Sequence, residues 1–201
     1  MIFLSGWSGF REAYPEISEK CKYIVPFQHE GFLEGYLDEI RQEEDLLVGW
    51  SLGASLIIRN IDKLNAKKII LIAPFLNFTD YVDKRIVDLM SLAFKKNKDK
   101  CVIDFWSKIG LRKNIETRIS KTLQNGLLFL KEKNNFDELY HKKNILIIAP
   151  VNDSILPFNA FLDVHNKVFG DLLMIDSNHY VEEPVLKKIV FGEHNCKKRT
   201  L

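Results

Sequence analysis

Three side chains far apart in the chain, Ser51, Asp153 and His179, are of the types needed to activate an oxygen nucleophile. A serine hydroxyl is weak by itself and needs an adjacent base, which a third group must orient. Ser51 is the centre of Gly49-Trp50-Ser51-Leu52-Gly53, a G-x-S-x-G pentapeptide. The apolar run Leu46-Leu47-Val48 precedes it, and a helix-compatible stretch from Ala54 to Asn60 follows. In that setting the pentapeptide reads as a sharp strand-to-helix turn that lifts the hydroxyl beside the first N–H groups of a helix. The apical residue is then expected at positive φ, with glycine on either side to avoid a Cβ clash. The competing reading is a glycine-rich β–α turn with a bystander serine.

Five histidines compete for the role of base. His29 and His141 lie at element edges among polar residues, His165 falls inside a helical pattern, and His194 sits in a basic tail. His179 differs, because Ser177-Asn178-His179-Tyr180 follows the last apolar strand and precedes Pro184. The orienting acid should also end a strand. Asp153 does so in Ile147-Ile148-Ala149-Pro150-Val151-Asn152-Asp153, though an Asp there is equally a common turn or cap residue. Asp176 is the rival acid, too close to His179 in sequence to reach its ring easily. An oxyanion site needs two N–H donors. Leu52, after the nucleophile, is one candidate, and Trp7, in the Gly6-Trp7 loop after the first strand, is the other.

The elements that must position these groups alternate along the chain. Strands are expected at Ile2 to Leu4, Tyr23 to Phe27, Leu46 to Trp50, Lys68 to Pro74, Ile145 to Ala149 and Leu172 to Ile175. Helices are expected from Arg11 to Cys21, Gly31 to Gln42, Phe158 to Val168 and Val185 to Val190. Continuous apolar strands alternating with helices predict an α/β fold, about six mainly parallel strands covered on both faces. Functional groups in such a sheet gather beyond the carboxyl ends of the strands. One connection is too long for a loop, and its apolar periodicity predicts a helical cap over residues 79–143. Ile86, Leu89, Met90, Ala93 and Phe94 fall on one helical face. Val102, Ile103, Phe105, Trp106 and Ile109 form a second face, and Ile115, Ile119 and Leu123 a third.

The 201 residues suit a single domain with its own core, 1–201, with the cap inside it. A net charge of +2 gives no indication of nucleic-acid binding. The three cysteines, Cys21, Cys101 and Cys196, are scattered without a C-x-x-C pair, which speaks against a disulfide framework and a cysteine zinc site. No metal or cofactor is implied. No signal peptide and no apolar run of membrane-spanning length stands out, so a cytoplasmic enzyme without a membrane partner is expected.

The chain resembles the α/β-hydrolases over nearly all its length, and the order Ser51, Asp153, His179 is theirs. More narrowly, it is similar to the esterases of biotin synthesis that cleave the methyl ester of pimeloyl-acyl-carrier protein. Ser5-Gly6-Trp7-Ser8, the Ser51 pentapeptide, Asn152-Asp153-Ser154-Ile155-Leu156-Pro157 and Asn178-His179 carry that resemblance. Asp104 to Gly110 and Leu123 to Leu127 are loosely similar to the cap of that family. The resemblance implies a trimmed fold lacking two leading antiparallel strands, and Ser51, Asp153 and His179 as a triad. It also implies Gly6, Trp7, Phe105, Trp106, Ser107, Lys108 and Ile109 as substrate contacts. The chain departs from the pattern at Ser5, where a His is usual, and at Ala54, where a third Gly is usual.

Charge bears separately on the acyl carrier protein. Val82 to Lys143 holds 15 Lys and Arg against 8 Asp and Glu, a net of +7 that leaves −5 elsewhere in a chain of +2. A basic cap on an acidic body fits an acidic partner. Arg112, Lys113, Arg118 and Lys121 are the expected docking residues, with Lys100 and Lys108 behind them. A merely solvated basic surface is the alternative. A generic carboxylesterase or thioesterase and a catalytically silent binding protein remain the rivals.

Overall fold

The computed structural model describes residues 1–136 and 144–192. His141, His194, Cys196 and the cap's last residues, 137–143, lie outside the described residues. Six strands form one parallel sheet: β1 (Ile2–Leu4), β2 (Lys22–Ile24), β3 (Glu44–Trp50), β4 (Ala66–Ile72), β5 (Asn144–Pro150) and β6 (Asp171–Ile175), in the order β2-β1-β3-β4-β5-β6. The inner strands are apolar through their carboxyl halves, and those halves are buried. Such runs suit a sheet covered on both faces. β2 is an edge strand, as expected of a fold trimmed of its leading strands.

The helices are α1 (Pro15–Ser18), α2 (Phe32–Ile40), α3 (Leu52–Ile58), α4 (Lys84–Lys96), α5 (Lys98–Lys108), α6 (Leu123–Phe129), α7 (Phe158–Val168) and α8 (Glu183–Phe191). The helix expected from Arg11 to Cys21 is broken into a 3-10 turn, Arg11–Ala13, and the short α1. Pro15 opens α1, where its missing N–H costs nothing, but it cannot continue a helix from the preceding turn.

The insertion between β4 and β5 holds α4, α5 and α6, as expected of a cap, with two corrections. The inward face of α4 is Val87, Ser91 and Phe94, while Leu89 is 65 % exposed and Ile86 half-exposed. On α5, Ile103 also points outward, at 57 % exposure. The third helical face does not exist as such. Residues 111–122 form a strap without an α-helix, and α6 begins only at Leu123. Glu12 replaces the helical bonds there: its carboxylate accepts from the N–H groups of Glu116 (2.8 Å) and Thr117 (2.5 Å) and from the Thr117 hydroxyl (3.0 Å). Burial pushes the Glu12 carboxyl up, but its hydrogen bonds outweigh that and hold it below its ordinary value.

Among the glycines, backbone comes closest to backbone at the pentapeptide. A Cβ on Gly53 would lie 2.1 Å from the Leu4 carbonyl oxygen and 2.4 Å from that of Ser5, and one on Gly49 would lie 2.7 Å from the Ala54 Cα. Both neighbours are backbone and have nowhere to move. Gly35, in α2, has open space in the same direction. Gly53→Ala is therefore expected to lower unfolding free energy by about 1–3 kcal/mol or more, as overpacking does. Gly35→Ala should raise it by roughly 0.5–1 kcal/mol by removing a helical glycine. Urea unfolding of both variants checks the pair.

Candidate active site

Ser51 stands between β3 and α3 with φ 53° and ψ −114°, the strained apex expected of the turn. Its own N–H donates to the Ile72 carbonyl at 2.8 Å, which fastens the apex to β4. The turn thereby presents the hydroxyl rather than the backbone to the cleft above the sheet.

His179 and Asp153 arrive on the loops after β6 and β5. The Ser51 Oγ lies 2.8 Å from His179 Nε2, and His179 Nδ1 lies 2.7 Å from Asp153 Oδ2. The side chains of His179 and Asp153 are each 1 % exposed. The other carboxylate oxygen of Asp153 accepts from the N–H groups of Ile155 (2.7 Å) and Leu156 (2.9 Å). These three contacts set the orientation of the Asp153 side chain. A carboxylate at Nδ1 requires the N–H there, which leaves Nε2 as an acceptor facing the serine O–H. The arrangement can draw a proton from Ser51 as its oxygen attacks an electrophilic carbon. Asp176 is no rival: it accepts from the Asn152 side chain at 2.6 Å.

Two residues given no role from sequence complete this geometry. Asn178 Oδ1 accepts from the His179 N–H at 2.6 Å and from the Ser154 N–H at 3.0 Å, while its Nδ2 donates to the Lys108 carbonyl at 3.2 Å. One side chain thus ties the base loop to the acid loop and both to the end of α5. Trp50, buried behind the triad, donates its indole N–H to the His179 carbonyl at 3.0 Å. The only sequence signal for either was adjacency to a triad residue.

The loop after β1 comes close to the nucleophile, since a Cβ on Gly6 would lie 3.3 Å from Ser51 Cβ. Ser5, in place of the usual His, donates its hydroxyl to the Gly9 carbonyl at 2.5 Å and lies 3.0 Å from the Tyr23 hydroxyl. Tyr23 donates to the same carbonyl at 2.9 Å, and burial pushes its phenol well above its ordinary value, so it stays a donor. From the other side, Trp106 Nε1 donates to the Ser8 carbonyl at 3.0 Å and Trp7 Nε1 to the Leu123 carbonyl at 2.8 Å. Hydroxyls on one side and two indole bonds to the cap on the other hold the loop.

A cleft of about 480 Å³ opens over Ser51 and His179. Trp7, Leu52, Phe105 and Lys108 line it, together with Phe78, Met90 and Leu127. The remaining expected contacts lie elsewhere. Trp106 is buried against the loop after β1, Ser107 faces outward, and the buried Ile109 accepts from the Tyr180 N–H through its carbonyl at 3.2 Å. None of Lys100, Arg112, Lys113, Arg118 and Lys121 lines the cleft. Lys100 pairs with Asp104 at 3.1 Å, and Lys113 donates to the Ala13 carbonyl at 3.0 Å beside the buried Glu183. Arg112, Arg118 and Lys121 are exposed along the strap. Among the described residues no His, Cys, Asp and Glu group could hold a metal ion, and no helix is long and apolar enough to cross a membrane.

Asn178→Ala leaves two loop N–H groups without acceptors and frees the base loop from α5. A displacement of about 1 Å at a reacting group costs on the order of 100-fold in rate. The variant should therefore react with a fluorophosphonate at Ser51 about 10- to 100-fold more slowly while keeping its far-ultraviolet circular dichroism. Timed labelling of wild type and variant checks this.

No protein-family model matches the chain, and no curated protein matches it in sequence. Solved structures do. The chain is similar to an esterase from Exiguobacterium antarcticum, with TM-score 0.71 and 14 % identity over 96 % of this chain and 90 % of that one. It is similar to a bromoperoxidase from Bacillus anthracis, with TM-score 0.68 and 15 % identity over 95 % and 89 %. An α/β hydrolase from a Medee basin deep-sea metagenome library superposes with TM-score 0.60 and 15 % identity over 95 % and 87 %. With its parallel sheet, its strained serine turn and these structural likenesses, the chain has the α/β-hydrolase fold.

Proposed function

We propose that this protein is a serine carboxylesterase whose substrate is the methyl ester of pimeloyl-acyl-carrier protein, hydrolysed in the cytoplasm during biotin synthesis. The observation that carries the hydrolytic part is the unbroken chain of hydrogen bonds from Ser51 through His179 to Asp153. Ser51 Oγ forms a bond to the ester carbonyl carbon as His179 Nε2 takes its proton. Asp153 stabilises the imidazolium that results. The oxyanion sits between the Leu52 and Trp7 amides, and removing such a donor typically costs about 3 kcal/mol of transition-state stabilisation. The carbon–oxygen bond to the alcohol then breaks, and His179 returns the proton to the departing methoxide. Water repeats the sequence against the acyl-enzyme and frees the carboxylate. The intact triad favours this chemistry over a catalytically silent binding role.

The pimeloyl and carrier parts rest on the sequence resemblance and on the basic cap. A second reading, a carboxylesterase acting on small free esters, is favoured by one observation: of the six expected docking cations only Lys108 lines the cleft, and Lys100 and Lys113 are already engaged.

Four measurements test the proposal. Ser51→Ala should abolish fluorophosphonate labelling, and Asp153→Asn should lower kcat by about 10⁴-fold through the wrong imidazole tautomer. Titrating p-nitrophenyl esters against both variants reads this out. Carrier-bound pimeloyl methyl ester should be cleaved with a kcat/KM at least tenfold above that of free methyl pimelate esters. Equal values would leave the small-ester reading. Rescue of a biotin-requiring strain that lacks its own pimeloyl-ester esterase, by wild type and not by Ser51→Ala, checks the pathway.

A further inference from the structure

The cleft is apolar through its middle, and its charges are at the rim. Asp83, Asp104 and Lys108 are the Asp, Lys, Arg and Glu side chains among its lining residues. The two acids are already paired. Asp83 accepts from the Arg85 guanidinium at 2.9 and 2.5 Å, and Asp104 lies 3.1 Å from Lys100 Nζ. Lys108 has no such neighbour: among the described residues its ammonium has neither a hydrogen-bond nor an ion-pair partner.

A lysine in the last turn of a helix often serves the helix itself, by facing its orphan carbonyls. That use is largely filled here. At the end of α5, the Lys108 carbonyl accepts from the Ser154 hydroxyl (2.9 Å) and Asn178 Nδ2 (3.2 Å), and the Ile109 carbonyl from the Tyr180 N–H (3.2 Å). The same bonds fix the Lys108 backbone to the loops that carry Asp153 and His179. The backbone of Lys108 is therefore fixed to the catalytic loops, and its exposed side chain lines the same cleft as Ser51 and His179.

We infer that Lys108 selects substrates that carry an anion away from the scissile ester, on the arm that leaves the cleft past α5. The inference rests on the esterase reading and adds to it the charge class of the substrate. The shared chemistry is a carboxylate or a phosphate. It can come from the free carboxylate of a half-ester or from the phosphate of a carrier's prosthetic arm. Apolar walls weaken screening, so one cation at the rim discriminates more than it would on an open surface.

The test uses matched pairs of substrates. Monomethyl pimelate is compared with methyl heptanoate, and the pimeloyl methyl ester thioester of 4′-phosphopantetheine with that of dephosphorylated pantetheine. In wild type, the anionic member of one pair should have a kcat/KM about three- to tenfold higher, the range for a partly enclosed charge pair. Preference in the first pair names the carboxylate as the source, and in the second the phosphate. Lys108→Gln should bring the ratio to about one, Lys108→Arg should restore it, and Lys108→Glu should invert it. Raising salt from 0.05 to 0.5 M should shrink the wild-type ratio, about as the Debye length shrinks. A purely structural role for Lys108 would move both members of a pair together. A ratio near one in wild type for both pairs, or one that survives Lys108→Gln, overturns the inference while leaving the esterase intact. Fluorophosphonates with carboxylate and neutral tails give the same comparison as Ser51 labelling rates. Failure of even the neutral probe to label Ser51 would instead overturn the esterase reading.

Discussion

The structure depends on how closely backbone approaches backbone at the Ser51 turn. β3 must reverse into α3 within three residues while α3 lies against the end of β1, and no side chain fits at Gly49 or Gly53. Ser51 is held at positive φ because the Ile72 carbonyl takes its N–H and α3 starts immediately after it. A strained residue persists only where its surroundings over-determine it. Here sheet, helix and the loop after β1 converge on the same few atoms. The nucleophile's position therefore follows from the packing of the three central layers rather than from any loop that could settle elsewhere.

The base and the acid have no such steric guarantee, and polar bonds take its place. Asn178 joins the two loops, Trp50 anchors the His179 carbonyl, and the end of α5 accepts from Ser154, Asn178 and Tyr180. The loop after β1 is fastened to the cap by the Trp7 and Trp106 indoles. The strap is bolted to the body through Glu12 and Lys113. The three indole bonds, of Trp7, Trp50 and Trp106, are buried, where a lost partner leaves a costly orphan. The cap and the catalytic loops are thus one mechanical unit.

Much of this was legible from residue types alone. Six apolar runs became six parallel strands, and Ser51, Asp153 and His179 met at their carboxyl ends, because strand order and loop position constrain where such groups can go. The cap was legible as an insertion but not in its faces. α4 carries apolar residues on both sides, so periodicity could not say whether Val87 or Leu89 turns inward. Ile119 and Leu123 are buried as their spacing required, yet residues 111–122 form a strap in which a carboxylate from another part of the chain takes the N–H groups of Glu116 and Thr117. Counting charges located a basic segment but could not reveal that Lys113 reaches the Ala13 carbonyl. Asn178 was given no role of its own for the same reason, since two of its three partners lie on a loop and a helix that only folding brings near.

The indole of Trp106 on the Ser8 carbonyl has a consequence for how this scaffold can diversify. In a modular lid, recombination can exchange the whole covering element and import a new substrate range in one step. Here a chimaera with a foreign lid would forfeit the brace on the loop after β1 together with the old selectivity. New specificities are accessible instead through point changes on the few residues that face the cleft, such as Met90 or Leu127, which leave those braces in place.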